Sequence, residues 1–302
     1  MRLSVILCAL SLALPMTGCG DDDDPGPADA NPPDGSTPDG DASGAETPVT
    51  LNFAAKVGDM DFSCGTTYSG LGTANSDAVG ADFRFYVSNI RLVNSAGTEV
   101  PVTLEQDGMF QREDVALLDF EDGSADCMMG NSALRSTVVG TVAEGDYNEV
   151  RFTMGIPFSM NHQNVADADS PFNISGMFWV WQGGYKFLRI DLGVGAGGYN
   201  VHLGSTMCSS GGPMEPPTAE CGRPNRADVS LTNFDIASSV IVADLAPLVA
   251  DADLTMNTDM TPPGCQSFPN DEGDCGPVFP KLGLDFQSGM PGATPQSFFR
   301  LE

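Results

Sequence analysis

Asp82-Phe83-Arg84-Phe85-Tyr86-Val87 alternates polar and apolar side chains with a period of two, the pattern of a β-strand with one face on a core. The phase slips near Asn89 before Ile90 and Leu92 resume it, which is the sequence mark of a β-bulge. Outward from this stretch, strand patterns recur at Val49–Lys56, Val100–Leu104, Val115–Phe120, Thr137–Val142 and Tyr147–Ile156. They continue at Met177–Trp181, Tyr185–Asp191, Asn200–Leu203, Asp228–Phe234, Val240–Asp244 and Ser297–Leu301. Gly, Pro, Asn and Asp punctuate them. Only Leu245–Val249 reads as helical. Many short strands between turn signals predict an all-β fold, an antiparallel β-sandwich or Greek-key barrel. No repeat or linker-like break follows residue 49, so 49–302 reads as one domain.

The chain has 302 residues, 13 Lys+Arg against 41 Asp+Glu, and a formal net charge of −28. Phosphate neutralisation needs clustered Lys and Arg, so nucleic acid is excluded as a partner, and so is a basic patch on anionic lipid. Residues 1–18 read as a lipoprotein signal peptide: Met1-Arg2 is basic, and Leu3 to Pro15 is apolar but too short to span a bilayer. Met16-Thr17-Gly18-Cys19 resembles a bacterial lipobox, with Cys19 the lipidated residue; a plain secretory signal is the alternative. Residues 19–48 hold Asp21-Asp22-Asp23-Asp24 and then Pro, Gly, Asp, Ala and Ser, too little apolar surface to offset ordering entropy. This segment is expected to be a disordered acidic tether. The expected location is a membrane, taken as the outer membrane, with the domain facing the periplasm or cell surface.

Export places the chain in an oxidising space. With Cys8 in the signal and Cys19 reserved for lipid, Cys64, Cys127, Cys208, Cys221, Cys265 and Cys275 remain. Six cysteines allow about 15 pairings. Proximity favours Cys208–Cys221 and Cys265–Cys275, which leaves Cys64–Cys127. The spacings contain no C-x-x-C pair, which argues against zinc.

Neither a G-x-S-x-G elbow nor a phosphate-cradling loop is present. Three features stand out. Asn161-His162 follows an apolar strand. Met177-Phe178-Trp179-Val180-Trp181-Gln182-Gly183-Gly184-Tyr185-Lys186-Phe187 holds both tryptophans, two residues apart and hence expected on one strand face. His202 alternates with Val201 and Leu203 and so points away from them. Singly, a Trp pair reads as core and a strand histidine as a satisfied polar residue. Together, two histidines flanking a Trp strand suit a metal site with few ligands, and neutral imidazole with aromatic shielding suits copper.

The same segments resemble a known family. They are Phe83-Arg84-Phe85-Tyr86-Val87-Ser88, Leu117-Leu118-Asp119-Phe120-Glu121-Asp122-Gly123, Pro157 through Asn161-His162, Met177–Phe187, and His202-Leu203-Gly204-Ser205-Thr206 with Cys208. In this order they are similar to the methanobactin-associated MbnP-like proteins, also called metallo-mystery-pair four-Cys-motif proteins, from about Leu51 to Phe299. The resemblance implies an exported copper-binding β-protein and not an enzyme. It implies a partner, a di-haem cytochrome c peroxidase-like enzyme of the MauG type, that oxidises a tryptophan to kynurenine or a related product. It makes His162 and His202 the metal ligands, Trp181 or Trp179 the modified residue, and Cys208, Cys221, Cys265 and Cys275 the four-Cys motif. Gly183-Gly184 departs from the single less flexible residue expected there, which bears on the local turn. A copper oxidase or surface hydrolase, and a structural or adhesive lipoprotein without metal, are the competing functions.

Overall fold

The alternating stretch lies inside Ser76–Asn94, a 19-residue strand that forms the spine of the larger of two sheets. The structure is a computed structural model and describes residues 45–302 except Met129 and Asn131. The expected signal peptide, Cys19 and the tether up to residue 44 lie outside the described residues. The first strand, Glu46–Val57, begins three residues before the Val49 boundary read from the sequence.

The spine strand is paired on both edges along its length. Ala78 pairs with Val194 and Tyr68, Arg84 with Arg189 and Asp119, and Arg91 with Arg151 and Pro101. The bulge sits where the phase slips. Register passes from Ser88↔Thr153 to Arg91↔Arg151, so two residues, Asn89 and Ile90, face one, and Asn89 takes φ +52°.

The ten-stranded sheet runs Ala227–Thr232, Tyr147–Met154, Ser76–Asn94, Leu188–Val194, Gly197–Leu203, Gly264–Cys265, with short strands added along the spine. The six-stranded sheet runs Phe299–Leu301, Val240–Asp244, Glu46–Val57, Thr137–Ala143, Thr103–Leu104, with Met60–Asp61 beside the first strand. The two remain separate open sheets, so the sandwich is realised and the closed barrel is not. Pairing is mixed, because Glu46–Val57 runs parallel to Val240–Asp244, and Gly197–Leu203 to Gly264–Cys265. Such pairs need long connections, and the chain between Val57 and Val240 supplies one.

Glu46–Val57 buries alternate residues Val49, Leu51, Phe53, Ala55 and Val57. Phe53 meets Phe85 at 6.1 Å and Phe152 at 5.9 Å between ring centres, joining the sheets through one aromatic core. Each such side chain contributes about 1.5–3 kcal/mol by burial. The other face of the spine is covered too. Tyr86, Val115, Leu117, Ile156, Phe172, Met177, Tyr185 and Phe187 form a second apolar cluster over it. Asp82 and Arg84 are therefore fully buried. The polar half of the alternation marks a layer of paired charges, not solvent.

Strands at Val115–Asp119, Thr137–Ala143, Tyr147–Met154 and Val240–Asp244 and a short helix at Leu245–Leu248 lie where the sequence predicts. The segment Met177–Trp181 is not a strand. Ser175–Met177 is a 3-10 turn, Phe178 makes an isolated bridge to Tyr185, and the next strand starts only at Leu188. The chain reverses at Gly184, whose φ of +74° a β-branched or aromatic residue would resist. The two tryptophans consequently do not share a strand face. The three disulfides are Cys64–Cys127, Cys208–Cys221 and Cys265–Cys275, the pairs that proximity favours.

Candidate functional site

The Trp turn is closed by Trp179 N–H donating to Gly184 O at 3.1 Å and Gly184 N–H to Val180 O at 2.7 Å. It packs on the short helix Phe158–Asn161. Tyr185 N–H donates to Asn161 Oδ1 at 3.0 Å, and a Cβ on Gly184 would come within 2.4 Å of Asn161 O. Glycine here is a requirement of both backbone and space. The contact brings His162, which ends that helix, against the turn, with Nδ1 3.0 Å from Trp181 O.

A carbonyl only accepts, so Nδ1 of His162 carries the proton and Nε2 bears the lone pair. The Asn161 amide nitrogen lies 3.2 Å from that Nε2 and donates to it. Burial holds the His162 pKa below its ordinary value, opposed by the bond to Trp181, so the neutral ring is favoured.

His202 is on Gly197–Leu203. Val201 and Leu203 enter the main core, and His202 faces the charged layer, opposite Arg189. Its Nε2 lies 2.5 Å from Asp191 Oδ1. Arg189 donates to the other carboxylate oxygen from Nε at 2.9 Å and Nη2 at 2.5 Å. Burial opposes ionisation of Asp191, but His202 and Arg189 together hold its carboxyl well below the usual range. Burial also lowers the His202 pKa, against the pull of Asp191. The pair is thus carboxylate and neutral imidazole, with the proton on Nε2. Nδ1 of His202 is buried and has no hydrogen-bond partner.

Each histidine therefore has one nitrogen held by an oxygen acceptor; the lone pair of the other is buried and unpartnered in His202 and meets the Asn161 amide in His162. Metal-bound histidines have this arrangement, in which the pinned N–H fixes tautomer and orientation. The orphaned Nδ1 of His202 is otherwise an unfavourable buried polar atom.

The structure does not join the two imidazoles: among the described residues no hydrogen bond or ring contact links His162 with His202. His162 sits with Trp181 O, Asn161 and the Cys208–Cys221 disulfide, and its Nε2 is 3.7 Å from Cys221 Sγ. Trp179 lies between them in the chain's path. Its ring packs on Phe268 at 5.5 Å and over Gly204, where a Cβ would fall 2.6 Å from it, two residues beyond His202. With Val180, Gln182, Thr206, Met207 and Cys208 it lines an open groove of about 470 Å³. Trp181 is half-buried.

Sequence reasoning missed Asp191 and Arg189 and gave Lys186 no role. Burial and then Arg189 lower the Lys186 pKa to about 8, and its Nζ donates to Gly176 O at 2.9 Å. The available signal was alternation: Arg189-x-Asp191 repeats on a neighbouring strand the Asp82-x-Arg84 pattern, and facing strands with such pairs need each other's charges.

Fold and site define the class: a two-sheet β-protein that presents imidazoles in ligand-ready tautomers beside an aromatic turn. The comparisons are specific. The MbnP family profile matches residues 46–267. The fold superposes on MbnP from Methylosinus trichosporium with a TM-score of 0.76 and 31% identity, covering 85% of this chain and 98% of that one. Curated proteins gave no match. The chain belongs to the MbnP family, which is associated with copper.

Proposed function

We propose that this chain is an exported copper-binding lipoprotein, anchored through Cys19 to the outer membrane, that handles copper without catalytic turnover of its own. In this reading His162 and His202 are the protein ligands. A partner di-haem MauG-like peroxidase oxidises Trp181, or failing that Trp179. Cleavage of the indole C2–C3 bond with two peroxide equivalents inserts two oxygen atoms and releases two waters; hydrolysis of the resulting formamide releases formate and leaves kynurenine. The product carries an aniline nitrogen and a ketone, donors that indole lacks.

The observation that carries the reading is that each histidine has one N–H held by an oxygen acceptor, which leaves His202 Nδ1 without a partner and His162 Nε2 with the Asn161 amide, a partner it can exchange for a metal. Trp181 is favoured because its own carbonyl holds His162, so chemistry on that residue is felt at the ligand. Bound copper would supply a soft, redox-active cation suited to neutral nitrogen donors. Asp191 and the Trp181 carbonyl hold the two protons that would otherwise compete for the donor atoms.

The test is the mass of the proteolytic peptide containing Trp179 and Trp181, together with copper content, after co-expression with a di-haem MauG-like enzyme. An oxygen-sized or kynurenine-sized increment on one tryptophan, with copper retained, is expected. Two unmodified tryptophans and no copper while the partner is active would leave a structural lipoprotein.

A further inference from the structure

The face of His162 turned away from Trp181 meets sulfur. Nε2 lies 3.7 Å from Cys221 Sγ, and a ring nitrogen of His162 and the sulfurs of Cys208 and Cys221 all lie within 4.8 Å of one another. While the two sulfurs are bonded to each other they are weak donors. As thiolates they would be strong ones. We propose that reduction of the Cys208–Cys221 disulfide opens an alternative cation site, formed by both thiolates and the same His162 Nε2 and suited to Cu(I), whose occupation excludes the copper site shared with His202. This goes beyond the proposed function, because it requires neither an oxidised tryptophan nor the haem partner.

The distances fit. Bonds of about 2.3 Å to sulfur and about 2.0 Å to nitrogen at a tetrahedral angle separate the two donors by about 3.5 Å. The His162–Cys221 pair is already within a few tenths of an ångström of that value. The tautomer fits as well, since Trp181 O holds the Nδ1 proton and leaves the Nε2 lone pair toward the sulfurs. Closure requires that the Asn161 amide give up its 3.2 Å contact and that the two sulfurs, once their bond is broken, part to about 3.8 Å. Soft thiolate donors with one imidazole favour Cu(I) over hard cations, with Zn²⁺ the divalent rival. Met207, which is 60% exposed, folds over Gly222 next to Cys221, its terminal methyl 4.0 Å from the place of a Cβ there, and adds a soft side chain at the rim.

Access fits too. Cys208 and Cys64 are both half-buried and each is bonded to a buried partner, whereas Cys265 and Cys275 are both buried; Cys64 packs against the main core, and Cys208 lines the open groove beside Trp179. A dithiol in solution therefore reaches Cys208 first. Its thiolate attacks one sulfur, the mixed disulfide is resolved by the second thiol, and the products are two cysteine thiols and one cyclic disulfide of the reductant. Binding of Cu(I) then releases the two thiol protons.

The experiment uses the protein without its haem partner, treated with limiting dithiol under argon. Alkylation and peptide mass identify which thiols are free, and titration against a chromophoric Cu(I) chelator counts bound Cu(I). Expected is opening of Cys208–Cys221 before the other two disulfides, with one equivalent of Cu(I) held against a chelator that strips the untreated protein. His162→Phe, which leaves the disulfide intact, should weaken that equivalent by about tenfold or more, and His162→Gln serves if the larger ring disturbs the turn. Cys208→Ser/Cys221→Ser should show no gain on reduction. The inference is overturned if Cys208 and Cys221 are free with no additional Cu(I), if the gain is indifferent to His162, or if another disulfide opens first. Because the readout is the increment on reduction, it can fail while partner-dependent tryptophan oxidation succeeds, and the reverse.

Discussion

Replacing Asp191 by Asn tests the site most directly. The carboxylate accepts from His202 Nε2 at 2.5 Å and from Arg189 at 2.9 and 2.5 Å. Asn keeps the volume and one acceptor but adds an N–H₂ that can donate to Nε2, which would move the imidazole proton to Nδ1 and fill the lone pair proposed to meet copper. Loss of such a partner costs about 10–100-fold in metal affinity, about 1.4–2.8 kcal/mol. The fold should lose less than the full ~3–5 kcal/mol of a broken buried pair, because Arg189 also forms an ion pair with Asp82, with Nε 3.0 Å from its carboxylate. The assay exploits the composition: with two histidines in the chain, ¹⁵N-histidine labelling yields two rings. The wild-type metal-free protein should show one ring protonated at Nε2, His202, and one at Nδ1, His162. Asp191→Asn should convert the first and leave the second. Unchanged tautomers together with unchanged copper affinity would refute the reasoning.

Three further outcomes follow from the same geometry. Gly184→Ala forces φ +74° on a residue with a Cβ 2.4 Å from Asn161 O, so thermal stability should drop by about 1–3 kcal/mol and the His162 ¹⁵N signals should shift; unchanged signals would show the turn does not set His162. Arg84→Met leaves Asp82 with Arg189 as its remaining guanidinium and should cost about 3 kcal/mol in denaturant unfolding, a loss under 1 kcal/mol contradicting a paired layer. Both histidines titrate below their ordinary value of 6.5 in the folded state. Between that value and the lowered ones the unfolded chain binds more protons, so stability falls as pH drops below about 6.5, while the donor nitrogens stay free of protons to lower pH than an exposed imidazole. Unfolding free energies flat from pH 7 to 5.5 would contradict this.

The alternation at Asp82–Val87, the bulge at Asn89 and the turn-punctuated strands made the two-sheet fold legible, because side-chain direction in a strand follows sequence parity. The disulfide pairs followed from proximity. The Trp segment misled: its apolar run has the residue types of a strand, and only packing of Gly184 on Asn161 shows it to be a turn.

What the sequence by itself determined is therefore local: strand periodicity, export and tether signals as expectations, two histidines, two tryptophans and the MbnP resemblance. Only the tertiary structure decided which acceptors those histidines meet. Asp191 lies across a strand pair from His202 and Trp181 O across a turn from His162, and no spacing in one chain encodes a hydrogen bond between segments that meet only on folding. It also decided that the polar face of the spine strand is buried, because that depends on what else folds over it, the 157–187 excursion, and not on the strand's own residues.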